Sequence, residues 1–337
     1  MIDVLIAGGG PAGLATAIHA ALAGMEAVVV EPRSIPVDKA CGEGLMPSGA
    51  AALRSLDVPV EGHPLRGIRY LDGRRQAQAA FRDGPGLGVR RTALHAALYQ
   101  RAAELGVKIV EGRVAGVRQD RDGVQAAGLR ARWLVAADGL HSPLRALLGL
   151  GLPDNRPRRY GLRRHYRVAP WTDFVEVHWA AAGEAYVTPV GDELVGVAVL
   201  SSRRRGYLEH LADFPSLVAR LEGPVATPVR GAGPLRQRVR ARVAGRVLLV
   251  GDAAGYTDAL TGEGVSLALL SAQALVRCLL AGAPQSYESA WLRLSRRHRL
   301  LTGALLETRR HRTAARLIVP AAHRMPALFG AAVHALA

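Results

Sequence analysis

The sequence predicts an α/β fold: a Rossmann-type domain with an inserted antiparallel β-sheet and C-terminal helices. Three observations lead there. An apolar run enters a glycine-rich turn and a helix at the N-terminus, two further strand–turn–helix units occupy 133–145 and 246–275, and short alternating segments fill 158–200. At 337 residues and 49% hydrophobic content, the chain can bury a large core and is long enough for two intertwined domains.

The first unit begins with IDVLIA, an apolar run suited to a buried parallel strand, followed by GGGPAGLATAIHAALAG with small residues at helical spacing. Gly8, Gly10 and Gly13 form GxGxxG, with Pro11 and Ala12 at the helix start. Gly8 permits a tight turn, Gly10 lets backbone approach a pyrophosphate, and Gly13 allows close helix–strand packing. The second strand, EAVVVE, ends in Glu31, 21 residues after Gly10, where a carboxylate can accept hydrogen bonds from a ribose diol. The N-terminal apolar stretch lacks a basic leader and is broken by glycine and Pro11, so it reads as part of the fold.

WLVAADGLHSPLR supplies a strand, Asp138-Gly139, and a helix start at Ser142-Pro143 with Arg145 one turn in. RVLLVGDAAGYTDALTGEGVSLALLSAQAL supplies a strand, Gly251-Asp252, a loop with Gly262 and Gly264, and a long helix from Val265. Asp138 and Asp252 are candidates both for cofactor contact and for simple helix capping. No second GxGxxG follows a predicted strand, so a separate nicotinamide-binding domain is not expected.

With these three fingerprints the chain resembles the FAD-dependent group that includes p-hydroxybenzoate hydroxylase-type aromatic hydroxylases, flavin halogenases and geranylgeranyl reductases, of glutathione-reductase-2-like fold. The resemblance implies FAD as cofactor and NAD(P)H as a transient electron donor. It implies that Gly8, Gly10, Pro11, Ala12, Gly13, Glu31, Pro32 and Arg33 hold the ADP half, with Val114 beside it. Arg91, in VRRTALHAAL, matches the family's RxxL position near the phosphates. Asp138, Gly139, Gly251, Asp252, Gly262, Gly264 and Val265 would line the rest of the FAD site. It also implies an FAD-binding domain in three pieces, 1–65, 87–150 and 240–282, a substrate-binding sheet from 66–86 and 151–239, and a helical region over 283–337.

The loop DKACGEGLMP leaves the sheet after Glu31 and, in the family, passes beside the flavin ring. Gly42 and Gly44 would let backbone lie against a flat ring, Leu45 would join that wall, and Pro47 suits the first turn of the next helix. The K-x-CGxGL-x-P form is closest to the geranylgeranyl-reductase branch, where a cysteine beside the flavin is a candidate for substrate contact or proton delivery. Cys41 is therefore a candidate catalytic residue, with a small buried hydrophobe as the alternative reading.

On the substrate side, 66–83 reads as a hairpin around Asp72-Gly73, and 158–200 as four successive antiparallel strands. In FVEVHW, Glu176 and His178 share one face, either as an acid/base pair or as a solvent-facing polar row, the simpler reading. The stretch EAYVTP lacks the tryptophans of the halogenase branch's W-x-W-x-I-P and keeps only Tyr186 and Pro189 of the reductase branch's Y-x-W-x-F-P, so halogenation is not expected and reduction loses part of its support, which CGEGL and LTGEG retain. Tyr186 and His178 join Cys41 as catalytic candidates. Ala259 stands where the family often has proline beside the flavin.

Two lysines, Lys39 and Lys108, stand against 42 arginines in a chain of formal net charge +16, a bias that reads as codon usage with most arginines solvated. No aromatic-interleaved basic stretch points to nucleic acid. Nine arginines between 293 and 324 face one acid, Glu307, in a helical, apolar-ended tail. Such a tail suits peripheral contact with an anionic membrane, but an ordinary helical cover on the substrate domain is the preferred reading. Cys41 and Cys278 are the only cysteines and form no metal or disulfide pattern, consistent with a reducing cytoplasm. The leading functional expectation is class A monooxygenation of an apolar aromatic or polyketide-like molecule by dioxygen through a flavin C4a-hydroperoxide. NAD(P)H-dependent reduction of isoprenoid double bonds is the alternative, and a non-catalytic flavin-binding protein the third.

Overall fold

The computed structural model describes the backbone of residues 1–337 and every side chain except that of Arg312. Its first sheet runs Val243–Ala244, Val247–Leu249, Leu129–Ala136, Ile2–Ala7, Ala27–Glu31, Lys108–Glu111, and is parallel except at the 243–244 edge and at the short strands 118–119 and 124–126, which extend it antiparallel. The strands earn their place by apolarity: Val4, Leu5, Ile6, Val29, Leu134, Val135, Leu248 and Leu249 are wholly buried, as strands covered on both faces must be.

Register then brings distant sequence together. Ala7 pairs with Val30 and Ala136, and Ala136 with Leu249, so three strands and their partner end at one level. The chain leaves that level at Gly8, Glu31, Ala137 and Val250, placing all three glycine-containing turns along the carboxyl edge of a parallel sheet, where such folds bind ligands. Helix Pro11–Leu22 follows the first turn and packs against helices Arg91–Glu104 and Gly264–Leu280.

The second sheet runs Arg230–Ala232, Tyr160–Tyr166, Leu194–Ser201, Gly183–Gly191, Phe174–Trp179, Gly67–Leu71, Gln76–Ala80. The expected hairpin is present, its Asp72 carboxylate accepting the Arg74 and Arg75 amides at 2.9 and 2.7 Å. Of the four strands of 158–200, the last three pair successively and antiparallel as expected, and only the first departs from that order. Tyr160–Tyr166 lies beside Leu194–Ser201, and Phe174–Trp179 pairs in parallel with Gly67–Leu71, because the tight turn after Gly191 fixes one hairpin and leaves the other strands its two flanks.

The face carrying Glu176 and His178 is not solvated, contrary to the simpler expectation: the two residues are 1% and 6% exposed. Arg69 Nη1 and Trp171 Nε1 cover the face and donate to Glu176 at 3.1 and 3.0 Å.

Helices Arg296–Arg310, Ile318–Arg324 and Pro326–Leu336 pack over the cavity-facing side of this sheet, and the short helices Tyr207–Leu211 and Pro215–Val218 cover its other face. His323 and His334 donate to the carbonyls of Gln76 and Ala80 at 2.8 and 3.0 Å, and Arg309 pairs with Glu184, which is wholly buried. Arg159 holds the same carboxylate at 2.8 Å and also Asp258 at 2.9 Å, so one buried charge cluster ties the helical wall, the sheet and the 258–262 loop.

Close approach at the first turn is severe. An added Cβ on Gly13 would meet the Gly8 carbonyl oxygen at 1.9 Å, whereas one on Gly116 would meet nothing within 4 Å. Gly13→Ala is therefore expected to lower stability by about 3 kcal/mol, with Gly116→Ala within about 0.5 kcal/mol of the parent, as measured by denaturant midpoints.

Candidate functional site

Between the carboxyl edge of the first sheet and the inner face of the second lies a cavity of about 960 Å³. One end is polar, lined by Gly10, Arg33, Lys39, Arg91, Asp138 and Asp252. The other is apolar, lined by Ile68, Tyr70, Val175, Val177, Leu305 and Phe329 among others. The loop carrying Cys41, Gly42, Gly44 and Leu45 lines the cavity too, as do Gly139, Gly251, Gly262, Gly264 and Val265.

The polar end is built from helix and turn physics. Helix Pro11–Leu22 starts at Gly10 with no side-chain cap, so its first N–H groups are left for a ligand. A Cβ on Gly10 would meet only Arg91 Nη2, at 3.9 Å, so this glycine faces open space while Gly8, at φ +108°, and Gly13 serve the turn. Glu31 Oε2 accepts the Gly9 amide at 2.7 Å, and Arg33 grips the same carboxylate through Nε and Nη2 at 2.6 and 2.9 Å. Burial works to raise the pKa of Glu31, but the Arg33 and Gly9 hydrogen bonds outweigh it and hold the carboxyl below its ordinary range.

Two buried polar atoms here have no protein partner: Arg91 Nε, a donor, and Asp138 Oδ1, an acceptor. A dinucleotide cofactor, rich in phosphate and hydroxyl groups, suits both. Asp138 also caps: its Oδ2 accepts the Leu144 amide at 3.0 Å, which leaves Oδ1 without a protein partner. Burial raises the pKa of Asp138 and of Asp252, the latter against the pull of Arg91 and Lys39. Desolvation by the surrounding protein, with Arg33 and Arg91 nearby, lowers that of Lys39, although the residue keeps an exposed surface. The residues present therefore fit FAD.

Cys41 is half-buried, and its Sγ accepts the Glu43 amide at 3.4 Å. Burial and the Glu43 carboxylate raise its pKa above the ordinary thiol range. Glu43 itself has φ +60°, unusual for a residue with a side chain, and is 4% exposed. Its carboxylate accepts the Arg91 amide at 2.8 Å and a hydrogen bond from His165 Nε2. His165 Nδ1 faces Arg163 Nη1 and Thr227 Oγ1 at 3.1 and 2.8 Å, which leaves Nε2 to carry the proton. Arg163 reaches on to Asp38 and to the Lys39 carbonyl, so both ends of the 38–44 loop are pinned to the second sheet. Thr188 completes the anchorage by donating to the Gly42 carbonyl at 2.8 Å.

Arg145, expected only near a helix start, is 6% exposed and donates to the carbonyls of Leu140, Asp252 and Ala253 and to Gln237 Oε1. It joins the second and third fingerprints. His95, which the sequence did not single out, is fully buried and donates to the Gly9 carbonyl at 2.8 Å. Arg145, Arg163 and Arg242 are all buried, so the arginine excess is not confined to the surface.

Three candidates sit differently from expectation. His178 is on the face of Phe174–Trp179 away from the cavity, because Val175 and Val177 alternate into the lining, and its Nε2 instead meets Glu176 at 3.2 Å. Tyr186 lines the cavity, but its hydroxyl donates to the Leu260 carbonyl at 2.7 Å and so ties the sheet to the 258–262 loop. Val114 is 7% exposed within the main apolar core and does not line the cavity. Pro32 is exposed beside Arg33.

Comparison with known proteins agrees with this geometry. Residues 1–182 match the family model described as FAD binding domain. A menaquinone reductase from Mycolicibacterium smegmatis is 30% identical over 335 residues, covering 88% of this chain and 80% of that protein. Digeranylgeranylglycerophospholipid reductase 1 from Methanothermobacter thermautotrophicus is 29% identical, covering 78% and 73%. A rifampicin monooxygenase from Streptomyces venezuelae is also 29% identical, covering 81% of this chain and 62% of its own length. Among solved structures, the flavin-dependent halogenase CmlS superposes with a TM-score of 0.75 at 22% identity over 91% of this chain and 64% of that one, a likeness of fold. With Gly10, Gly139, Gly251 and Gly262 and the unpartnered Arg91 and Asp138 atoms gathered at one crevice, the chain belongs to the FAD binding domain family and is an FAD-dependent oxidoreductase.

Proposed function

We propose that the protein is a reductase that saturates a carbon–carbon double bond in an isoprenoid lipid, using NAD(P)H as the electron source. The observation that carries this reading is Cys41, a thiol placed on a cavity that is polar at its cofactor end and apolar beyond. Saturating an alkene requires a hydride at one carbon and a proton at the other. Bound FAD, once reduced, supplies the hydride. Burial keeps Cys41 protonated near neutral pH, so Sγ holds a proton that it can give to the second carbon.

The chain's other residues bind and orient. Arg91 and the first turn of helix Pro11–Leu22 would hold phosphate oxygens of FAD, Glu31 would take its ribose, and Asp138 would accept from a cofactor hydroxyl. Glu43 fixes the backbone that presents Cys41. The apolar wall of Ile68, Tyr70, Val175, Val177 and Phe329 excludes water and suits a branched hydrocarbon chain. Menaquinone and digeranylgeranylglycerophospholipid, the substrates in the relatives' names, both carry polyprenyl chains, which supports the same class here.

Monooxygenation of an apolar small molecule is the second reading, favoured by the similarity to the rifampicin monooxygenase. Oxygen separates the two. Under strictly anaerobic conditions, with NAD(P)H and a short prenylated quinone in detergent, a product heavier by two hydrogens is expected. An oxygenated product formed only in air would overturn the reductase reading.

Cys41→Ala is expected to slow anaerobic reduction by about tenfold or more with FAD content unchanged; an unchanged rate would remove the thiol from the proton transfer. A thiol raised by burial exposes little thiolate, so iodoacetamide at about pH 8 is expected to label Cys41 more slowly in the native protein than in the unfolded chain. The native rate should still be climbing as pH rises further.

A further inference from the structure

The apolar end of the cavity opens at the corner between helices Ile318–Arg324 and Pro326–Leu336. Met325 and Leu328 line the cavity and are also 47% and 63% exposed, so they form its rim. Leu317, 58% exposed, continues the same face: the Ala321 amide bonds the Leu317 carbonyl at 2.8 Å and the Met325 amide the Ala321 carbonyl at 2.9 Å, stacking 317, 321 and 325 on successive turns. Large apolar side chains left in water at a cavity rim mark a surface that something covers.

Charge beside this ridge identifies the cover. Arg316 and Arg324 precede Leu317 and Met325 and repeat the same eight-residue interval, so they form a parallel basic row. Both are exposed, and neither joins an ion pair among the described residues. Residues 308–337 contain no Asp or Glu. An apolar ridge flanked by arginines, on helices none of which is long and apolar enough to cross a membrane, is the pattern of an element that lies in the headgroup layer.

We propose that this corner docks on an anionic phospholipid bilayer, with Leu317, Met325 and Leu328 in the acyl boundary and Arg316 and Arg324 on the headgroup phosphates, and that lipid substrate enters the cavity over that rim. The entry step rests on the isoprenoid-lipid reading; the docking surface does not.

The test is flotation of the FAD-loaded full chain with vesicles of phosphatidylglycerol or of phosphatidylcholine, scored by flavin absorbance. Binding to the anionic vesicles, weak binding to the neutral ones, and a loss of about tenfold or more in M325E/L328E are the expected results, with FAD content unchanged. R316Q/R324Q is expected to weaken binding and flatten its salt dependence. No binding to anionic vesicles, or binding that M325E/L328E leaves intact, would overturn the proposal, the latter assigning adsorption to the chain's general positive charge. A stable dimer that L328E abolishes would also overturn it by giving the face to a second copy. Flotation needs no turnover, so a membrane-bound protein that fails to reduce a prenyl quinone would overturn the reaction assigned above and leave the docking surface standing.

Discussion

The Glu43 carboxylate is the joint on which the cavity depends. It receives a backbone amide from the helix at Arg91, on the nucleotide-binding side, and a ring N–H from His165, on the second sheet. Arg163 and Thr188 of the second sheet add ties to Asp38, the Lys39 carbonyl and the Gly42 carbonyl of the same loop. An unpaired carboxylate at Glu43 would cost several kcal/mol, and the φ of +60° shows that the backbone bends to deliver it. Gly196 makes the room: a Cβ there would stand 3.1 Å from Glu43 Oε2. The loop that bears Cys41 is thus held by a buried charge and its hydrogen bonds, while its glycines leave the cavity side of the backbone open.

A division of labour follows. The first sheet supplies register, ending its strands level so that three turns meet, and the second supplies apolar surface from one face only. His178 shows how sharp that division is. Its strand neighbours Val175 and Val177 reach the cavity, and a shift of one residue puts His178 on the opposite face, paired with Glu176.

Legibility in the sequence followed the same line. Gly8, Gly10, Gly13, Asp138, Asp252 and Gly262 could be read because strand, turn and helix are local patterns with fixed spacing, and the loop glycines because a close backbone approach needs them. Period-two alternation sorted Val175 from His178 but could not say which face would be covered. The Glu43–His165 and Arg159–Asp258 contacts join positions 122 and 99 apart, where no local pattern points. Arginine is so abundant that the buried ones carried no compositional mark. Val114 was carried over by resemblance alone and has no local signal at all.

That abundance leaves a lasting constraint. Arg145 serves four acceptors in different directions, and Arg163 reaches a carboxylate, a carbonyl and an imidazole at once. A lysine offers one compact ammonium and cannot span such a set. The fold uses the branching shape of these guanidinium groups as well as their charge, so lysine at these positions would conserve the charge and lose the connections.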